Sequence, residues 1–508
     1  MNPLLAKCSE LCAPGSQLKK TQQPDLRCLG GVAQWPVLRV HNSKKCIWSG
    51  DASASAAQLH VRRCGCPRPI PYTMLTGVFY YGEVRRDEGS PMKYTKLERN
   101  WVMYDVGNSA LVLLQTSVVP IYFNALNTGA SKAELVSAWA NAQTIASLVV
   151  ALLMPVLGSL ADYAGNKIKF FIGFFLTGLV LCFAQAIPMS AFAFLAVYVV
   201  CTIGLNSSMT FYDAMLTDVT TDERMDTVSS SGYAWGYVGS TIPFIACLAL
   251  IMGGPAVLGL DTMLCTRLSF VITGVWWLAF TLPLIKTYKQ RYGKERTPGD
   301  TLAKIAGDTF SGLLATMRSI ARNRVIILYM VAFFFYIDGV HTVISMATSY
   351  GSALGIDSTQ LVLALLVTQF VAFPSAIAYG KLAGKFGTLR MIIVAVVAYM
   401  CIVLFAAFFL KNAVEFWILA ILVGLFQGGI QALSRSYFGR IIPKEHSNEY
   451  YGFFDIFGRY ASVMGTLLVS LVTSLTKDPS LGVLSIGILL VVGLVLLAKL
   501  SRTQGAAA

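Results

Sequence analysis

Charged side chains are scarce in this chain: Asp, Glu, Lys and Arg make up only 13% of its 508 residues, against 55% hydrophobic residues. A soluble globular protein carries about 25% charged residues, so the composition excludes that class and indicates a polytopic membrane protein. Lys and Arg outnumber Asp and Glu by 40 to 26. The basic residues are scattered through short connections, as the positive-inside rule expects. We therefore expect a lipid bilayer, and no nucleic acid, as a partner.

The sequence motifs of enzyme chemistry are also missing. There is no Walker A loop, and there is no G-x-G-x-x-G, G-x-S-x-G or H-E-x-x-H motif. ATP-driven pumping would therefore lack its phosphate-binding loop. We expect no enzyme activity, no cofactor and no metal site.

Residues 1–91 differ from the remainder of the chain. They are rich in Pro, Gly and Ser, have no periodic apolar face, and hold six of the eleven cysteines, which are Cys8, Cys12, Cys28, Cys46, Cys64 and Cys66. This composition predicts a disordered extension. Zinc binding and targeting are alternatives, although the cysteines lack the paired C-x2-C spacing of structural zinc sites. A further alternative is that translation starts at Met92.

Twelve apolar segments from Trp101 onward are long enough to cross a bilayer. Their predicted limits are 101–126, 134–161, 169–188, 191–216, 229–252, 267–285, 325–350, 359–383, 390–410, 413–438, 449–475 and 481–500. An even number of spans places both termini on the same side of the membrane. The connections on that side hold most of the Lys and Arg residues, so both termini are predicted to be cytosolic.

The predicted fold class is an all-α membrane protein with two pseudo-symmetric six-helix bundles. The bundles comprise residues 92–286 and 325–508, the latter with a short tail. Residues 287–324 form a cytosolic linker, whose second half has the apolar periodicity of an interfacial amphipathic helix. A plain flexible linker is the alternative.

Two parts of the chain are related by a step of 222 residues. This step places Asp213 against Arg435 and Asp218 against Arg440. Opposite charges at equivalent positions suit facing helices of two bundles related by a pseudo-two-fold axis, and chance similarity is the alternative. We expect these four residues to form an inner gate that pairs when the cytosolic mouth is shut. In the alternative, each charge bonds within its own half.

A further repeated pattern lies between helices. The stretch PVLGSLADYAGNK (155–167) is echoed by GKLAGKFGTLR (380–390). It resembles the loop signature of the major facilitator superfamily, with Asp162 in the first copy and Gly384 in the second. We expect Asp162 to contact the positive end of a neighbouring helix and to belong to the gate. Because only the first copy has the aspartate, we expect the contacts that close the cytosolic side to be asymmetric.

Four motifs indicate which family of this superfamily the chain resembles. They are WVMYDVGNSA (101–110), FYDAMLTDVT (211–220), SGYAWGYVG (231–239) and GGIQALSRSYFGRIIP (428–443). In this order they resemble the autophagy-related vacuolar amino-acid effluxer (Atg22-like) family, over about residues 97–500. The resemblance implies a secondary active transporter that exports neutral amino acids, such as leucine, isoleucine and tyrosine, from a vacuole or lysosome-like organelle. Alternatives are another small organic solute, a non-transporting nutrient receptor or scaffold, and the plasma membrane as location.

Polar residues inside the predicted spans are candidates for the substrate and proton pathway. Asp105, Asn108 and Gln115 share one face of the first span. Bonding to a neighbouring helix is their alternative role. Asp455 and Arg459 stand four residues apart on the eleventh span, where they either pair with each other or bind the charged ends of an amino acid.

The seventh span supplies a second group of candidates. Tyr336, Asp338 and His341 lie around Gly339, where a break in the helix is expected to expose backbone carbonyl groups. Asp338 and His341, together with Asp105, are candidate proton carriers, and a purely structural histidine is the alternative.

Overall fold

The computed structural model describes residues 38–40, 44–46, 94–127, 129–295, 302–353, 355–460 and 463–505. The chain divides into two units, Met1–Pro91 and Met92–Ala508. The described part of the first unit is an antiparallel pair of strands, β1 (Leu38–Val40) and β2 (Lys44–Cys46). All other residues of 1–91 lie outside the described residues, so the disorder, zinc and targeting hypotheses for this segment stay predictions.

The described part of the second unit is helical. Its helices are α1 (Lys96–Leu126), α2 (Lys132–Ala161), α3 (Lys167–Ala184), α4 (Ala191–Val219), α5 (Met225–Leu258), α6 (Thr262–Thr287), α7 (Leu302–Arg322), α8 (Arg324–Ala353), α9 (Ser358–Phe386), α10 (Thr388–Phe408), α11 (Ala413–Ile441), α12 (Ser447–Tyr460), α13 (Val463–Thr476) and α14 (Pro479–Gly505). Eleven of these described helices are long and apolar enough to cross a membrane, and the exceptions are α7, α12 and α13. The helix α7 occupies the predicted linker.

The span predicted at 449–475 is not a single described helix. Its described residues form α12 and α13, and residues 461 and 462 between them are not described. The helix α12 packs against α2 and α4 of the first bundle as well as α8, whereas α13 packs against α8 and α14 of its own bundle. Both helices therefore contact α8, but of the two only α12 is extensively packed on the first bundle.

Each bundle has an apolar interior and an apolar exterior. In the first bundle the rings of Phe175 and Trp277 meet edge to face at 4.9 Å, and in the second Phe438 and Phe454 stack at 4.2 Å. On the outer surface, Phe192 is 85% exposed and other large apolar side chains are exposed as well. An apolar exterior of this kind is suited to lipid and not to water.

One end of the bundle, here called the basic end, carries the start of α1, the α2–α3, α4–α5, α9–α10 and α11–α12 connections, and the end of α14. The helix α1 begins there with a capping box, in which Thr95 and Glu98 exchange backbone-to-side-chain hydrogen bonds of 2.8 and 3.1 Å. The Glu98 carboxylate also accepts bonds from Thr220 and Arg224 in the α4–α5 connection, at 2.7 and 2.8 Å. The start of α1 is thereby fixed to that connection.

Two glycines allow α2 and α12 to touch at the basic end. A Cβ atom on Gly158 would lie 2.5 Å from the carbonyl oxygen of Asn448, and one on Gly452 would lie 2.8 Å from that of Met154. Backbone atoms cannot move aside as a flexible side chain can. Glycine at both positions is therefore needed for the two bundles to meet this closely.

Candidate functional site

Arg435, on α11 of the second bundle, inserts its guanidinium group into the first bundle and is only 4% exposed. Its Nη1 donates to Asp213 on α4 at 2.9 Å, and its Nη2 donates to Asp105 on α1 at 3.3 Å. The hydroxyl and carbonyl oxygens of Ser229 on α5 accept two further bonds, at 2.9 and 3.0 Å. A buried cation requires this extent of pairing to offset its desolvation. One side chain therefore bonds three helices of the opposite bundle.

Aromatic rings complete the surroundings of Arg435. Its guanidinium carbon lies 4.4 Å from the ring centre of Tyr233, 4.7 Å from that of Trp101 and 5.5 Å from that of Tyr212. Trp101 and Tyr212 also stack on each other at 4.4 Å. Desolvated cation–π contacts contribute about 2 kcal/mol. Sequence reasoning assigned these rings no role, although each lies within one of the motifs quoted above.

The three polar residues predicted on one face of the first span do not all belong to one site. Asp105, Asn108 and Gln115 are buried, and Asp105 faces Arg435. Asn108 donates to Asp105 at 3.5 Å, which is a weak bond at most. Gln115 lies two turns further along α1 and contacts the sulfur of Cys201 on α4 at 3.7 Å. Asp105 and Asn108 are brought together, whereas Gln115 contacts a neighbouring helix of its own bundle.

Asp162 follows the last residue of α2 and is buried. Its Oδ1 accepts bonds from the backbone N–H and the side-chain amide of Asn448, at 2.9 and 2.8 Å, and its Oδ2 accepts from the backbone N–H of Glu449 at 3.1 Å. Asp162 thus lies at the positive end of α12, a helix of the other bundle. Burial raises the pKa of Asp162 to about 6, although Lys167 and these bonds act in the opposite direction.

The predicted pairing of Asp218 with Arg440 is wrong. Asp218 pairs with Lys167 at 2.7 Å, and both side chains are fully buried. It also accepts a bond from the Tyr288 hydroxyl at 2.5 Å and two backbone N–H bonds from residues 291 and 292. Five residues along a helix correspond to a rotation of about 140°, so Asp218 faces away from α11 when Asp213 faces toward it. Asp218 therefore bonds within its own half, as the alternative held.

Arg440 instead pairs with Asp226, at the start of α5, at 2.8 Å. The Asp226 carboxylate also accepts bonds from the hydroxyl groups of Ser436 at 2.5 Å and Thr388 at 2.7 Å. Asp226 thus joins α5 to α10 and α11 of the second bundle. Sequence reasoning missed this residue; its available signal was an acidic residue in the first turn of a span, where acids stabilise helix starts.

The candidates on α8 do not form one cluster. The Tyr336 hydroxyl bonds the Ser434 hydroxyl on α11 at 2.6 Å. Asp338 accepts a bond from the backbone N–H of Gly465 on α13 at 3.0 Å. His341 is partly buried, and its side chain makes no hydrogen bond to another residue in the described ranges.

The expected break of the seventh span at Gly339 is also wrong. The helix α8 runs from Arg324 to Ala353 without interruption. A Cβ atom on Gly339 would lie 2.8 Å from the side chain of Leu490 on α14. This glycine is explained by close helix packing and does not expose carbonyl groups.

Asp455 on α12 accepts a hydrogen bond from the hydroxyl group of Thr210 on α4. This bond is another contact between the two bundles. The side chain of Arg459 lies outside the described residues, so its predicted pairing with Asp455 stays a prediction.

The cross-bundle contacts of Arg435, Asp162 and Asp226 share one property: all lie in the half of the bundle nearer the basic end. By contrast, α13, the second half of the eleventh span, packs on α8 and α14 of its own bundle. The arrangement joins the two bundles at the basic end through buried polar contacts. Such contacts can be exchanged for water if the bundles rock apart.

Comparisons with known sequences point to one family. The family model described as "Vacuole effluxer Atg22 like" matches residues 124–508. An uncharacterized MFS-type transporter, YxiO, from Bacillus subtilis (strain 168) is 44% identical over 413 residues, which cover 80% of this chain and 95% of the relative. Autophagy-related protein 22-1 from Aspergillus niger is 24% identical over 298 residues, which cover 54% of this chain and 47% of the relative. The match therefore spans about half the length of that fungal protein.

Solved structures confirm the predicted fold class. FucP, a transporter of the major facilitator superfamily solved in its outward conformation, superimposes with a TM-score of 0.61 at 14% identity, covering 80% of this chain and 97% of FucP. An outward-facing bacterial homologue of the iron transporter ferroportin gives a TM-score of 0.60 at 14% identity, covering 80% and 98%. At this identity the likeness shows the major facilitator fold alone. Together with the sequence matches, it shows that the chain belongs to the vacuole effluxer Atg22-like family of major facilitator transporters.

Proposed function

We propose that this transporter is a secondary active carrier that exports neutral amino acids by alternating access, with its basic end and both termini in the cytosol. The observation that carries the proposal is the buried contact of Arg435 with Asp105 and Asp213 across the two bundles. Replacing a buried ion pair by apolar residues is often neutral or stabilising, so such a pair is poorly explained by stability alone. A gate that opens and closes gives it a role.

The chemistry of the contact supports an amino acid as cargo. An amino acid carries one carboxylate and one ammonium group. Separation of the bundles would release the Arg435 guanidinium from Asp105 and Asp213, leaving groups of both signs beside the pathway. The faces of Trp101 and Tyr233 would offer apolar surface to a neutral side chain. Asp455 and Arg459 remain proposed as a further pair of polar groups on this route.

Proton coupling is part of the proposal. The ionisable residues Asp105, Asp338 and His341 lie within spans, and the sequence has no nucleotide-binding loop. We expect a proton gradient to accelerate uptake into proteoliposomes and ATP to have no effect. Transport rates that stay unchanged from about pH 5 to pH 8, with or without the gradient, would contradict this coupling.

Two membranes are candidates for the location. The family description and the names of the fungal relatives support a vacuolar or lysosome-like membrane. The plasma membrane is the second candidate, because the relative with the higher identity and nearly full coverage comes from a bacterium, Bacillus subtilis. Fractionation of the source cells, with immunodetection of the chain, distinguishes the two.

Counterflow in proteoliposomes tests the function. The purified full chain is reconstituted with unlabelled leucine inside, and entry of labelled leucine, isoleucine or tyrosine is followed. We expect accumulation by the native protein and at least a tenfold lower rate for Arg435→Gln. Competition by other solutes identifies a different cargo, and a native protein that moves no solute supports the receptor or scaffold alternative.

A further inference from the structure

Three metal-binding side chains meet beside the contact of Asp162 with α12. The carboxylates of Asp162 and Glu449 and the imidazole of His446 each offer a donor atom, and these atoms lie within 4.8 Å of one another. Asp162 belongs to the first bundle, whereas His446 and Glu449 flank the start of α12 in the second. The group therefore bridges the two bundles. Sequence reasoning expected no metal site, and Asp162 is far from His446 and Glu449 in the sequence.

The donor atoms of this group are incompletely bonded. Glu449 is fully buried, and within the described residues its Oε1 has no hydrogen-bond partner; the same holds for Nδ1 of His446. That Nδ1 lies 3.5 Å from Oε2 of Glu449, too far for a good hydrogen bond. Asp162 accepts three bonds, which leaves room on a carboxylate with about four lone-pair sites.

Glu449 forms an ion pair with a lysine. Nζ of Lys294 lies 3.5 Å from Oε2 of Glu449, and the lysine side chain is 25% exposed. Lys294 is placed by the segment after α6, where its backbone bonds those of Asp162 and Ala164 at 2.8 and 3.0 Å. A long contact from a partly hydrated ammonium group is a weak compensation for a buried carboxylate. A cation that binds Glu449 directly would compensate it better.

We propose that Asp162, His446 and Glu449 bind one divalent first-row transition metal ion, which displaces Lys294 and holds the basic end closed. One imidazole nitrogen and two carboxylates form a donor set suited to ions such as Mn²⁺, Fe²⁺, Co²⁺ or Zn²⁺. Opening of the basic end would remove Asp162 from the other two ligands, so the ion favours the closed form. An ion present at 100 times its Kd would raise the closed-to-open ratio by about 100-fold. This locking effect rests on the proposed alternating access, whereas binding of the ion does not.

Binding of Mn²⁺ to the purified full chain, stripped with a chelator and followed by electron paramagnetic resonance, tests the site. Mn²⁺ is the probe because the thiols of residues 1–91 prefer softer metals. We expect one bound ion per chain and at least tenfold weaker binding in His446→Ala and Glu449→Gln. Lys294→Met should bind several-fold more tightly, because it removes the competing ammonium group. Lys289→Met, an exposed lysine of the same segment, is the matched control and should bind like the native chain.

The Lys294→Met variant keeps the test informative if a ligand substitution unfolds the protein. Native protein without a bound Mn²⁺ ion at millimolar concentration overturns the proposal. Binding that is unchanged in both ligand variants, or that does not tighten in Lys294→Met, also overturns it. Loss of transport without loss of Mn²⁺ binding counts against the proposed function and leaves the metal site standing.

Discussion

Arg435 bonds Asp105, Asp213 and Ser229 at once, so a substitution there leaves the buried carboxylate of Asp105 and the half-buried one of Asp213 without their cation. Breaking one side of a buried ion pair costs about 3–5 kcal/mol, far more than the pair itself contributes. The effect of a single substitution therefore overstates the strength of the contact. Pairs of substitutions are needed to measure it.

Asp213→Arg and Arg435→Asp are each expected to impair transport, and the combined swap should recover part of it. The coupling free energy between the two substitutions, calculated from initial transport rates, should be about 1–3 kcal/mol. Recovery stays partial because an aspartate at position 435 would meet Asp105 and lose the aromatic contacts. The pair of Asp222 and Lys444 is the matched control: it also joins the bundles, at 2.8 Å, but Asp222 is 43% exposed. Its coupling should stay below about 1 kcal/mol. Strictly additive effects at 213 and 435, in initial transport rates, would contradict the gate.

The corrected partner of Asp218 gives a second prediction. Asp218→Asn leaves the fully buried Lys167 uncompensated and should lower the free energy of unfolding by about 3 kcal/mol. Adding Lys167→Met should restore most of the lost thermal stability. Adding Arg440→Gln should lower it further by an independent amount, since Asp226 is the partner of Arg440. Coupling of Asp218 to Arg440, and not to Lys167, in thermal unfolding would revive the original pairing.

At this scale the sequence predicted part of the site. The repeat step located Asp213 and Arg435, because equivalent positions on α4 and α11 do face each other across the axis. It failed for Asp218, since the rotation between successive helix positions is invisible in a residue count. Asp226 and the rings around Arg435 were missed for a related reason: their partners come from other helices at distant positions in the chain.

At the scale of elements, the crossing of α2 and α12 decides how closely the bundles meet. Gly158→Ala and Gly452→Ala place a methyl group within 3.0 Å of backbone atoms of the opposite helix and should open the basic end. Gly173→Ala on α3 meets no atom within 4 Å and is the matched control. Labelling of Ser230→Cys, buried at the α5–α9 interface, measures opening in a chain without native cysteines. Equal labelling rates in all three glycine variants would contradict this role for the crossing.

The start of α11 was predicted at its observed position, Ala413, whereas α1 begins at Lys96, before the predicted limit of 101. Hydropathy alone could not show that the first half of the eleventh span packs on the first bundle, because these neighbours come from distant parts of the chain. The continuity of α8 through Gly339 was missed because a glycine that packs against Leu490 has the same sequence appearance as a helix break.

At the scale of the whole molecule, the unit from Met92 to Ala508 contains every contact used in the transport proposal. A chain that begins at Met92 is therefore expected to insert and to transport like the full chain. The comparison uses membrane levels by immunoblot and counterflow per inserted molecule. Normal insertion with lost transport would contradict the expectation and revive a zinc or targeting role for residues 1–91.

The overall fold followed from the sequence more readily than the site did, because span number and charge asymmetry are averages over many residues. A gate depends on single rotations and on pairs far apart in the chain. We infer that buried polar contacts made by Arg435 hold the basic end shut.

The distance between spin labels at Ala164→Cys and Lys385→Cys tests this claim most directly, because both positions are exposed and lie at the basic end of different bundles. Double electron–electron resonance is measured in liposomes, without solute or added metal, in a chain without native cysteines. We expect one short distance for this chain, an added longer distance in Arg435→Gln, and no change in Lys444→Gln. A distance distribution that Arg435→Gln leaves unchanged would contradict it, since the basic end would then stay shut without the arginine.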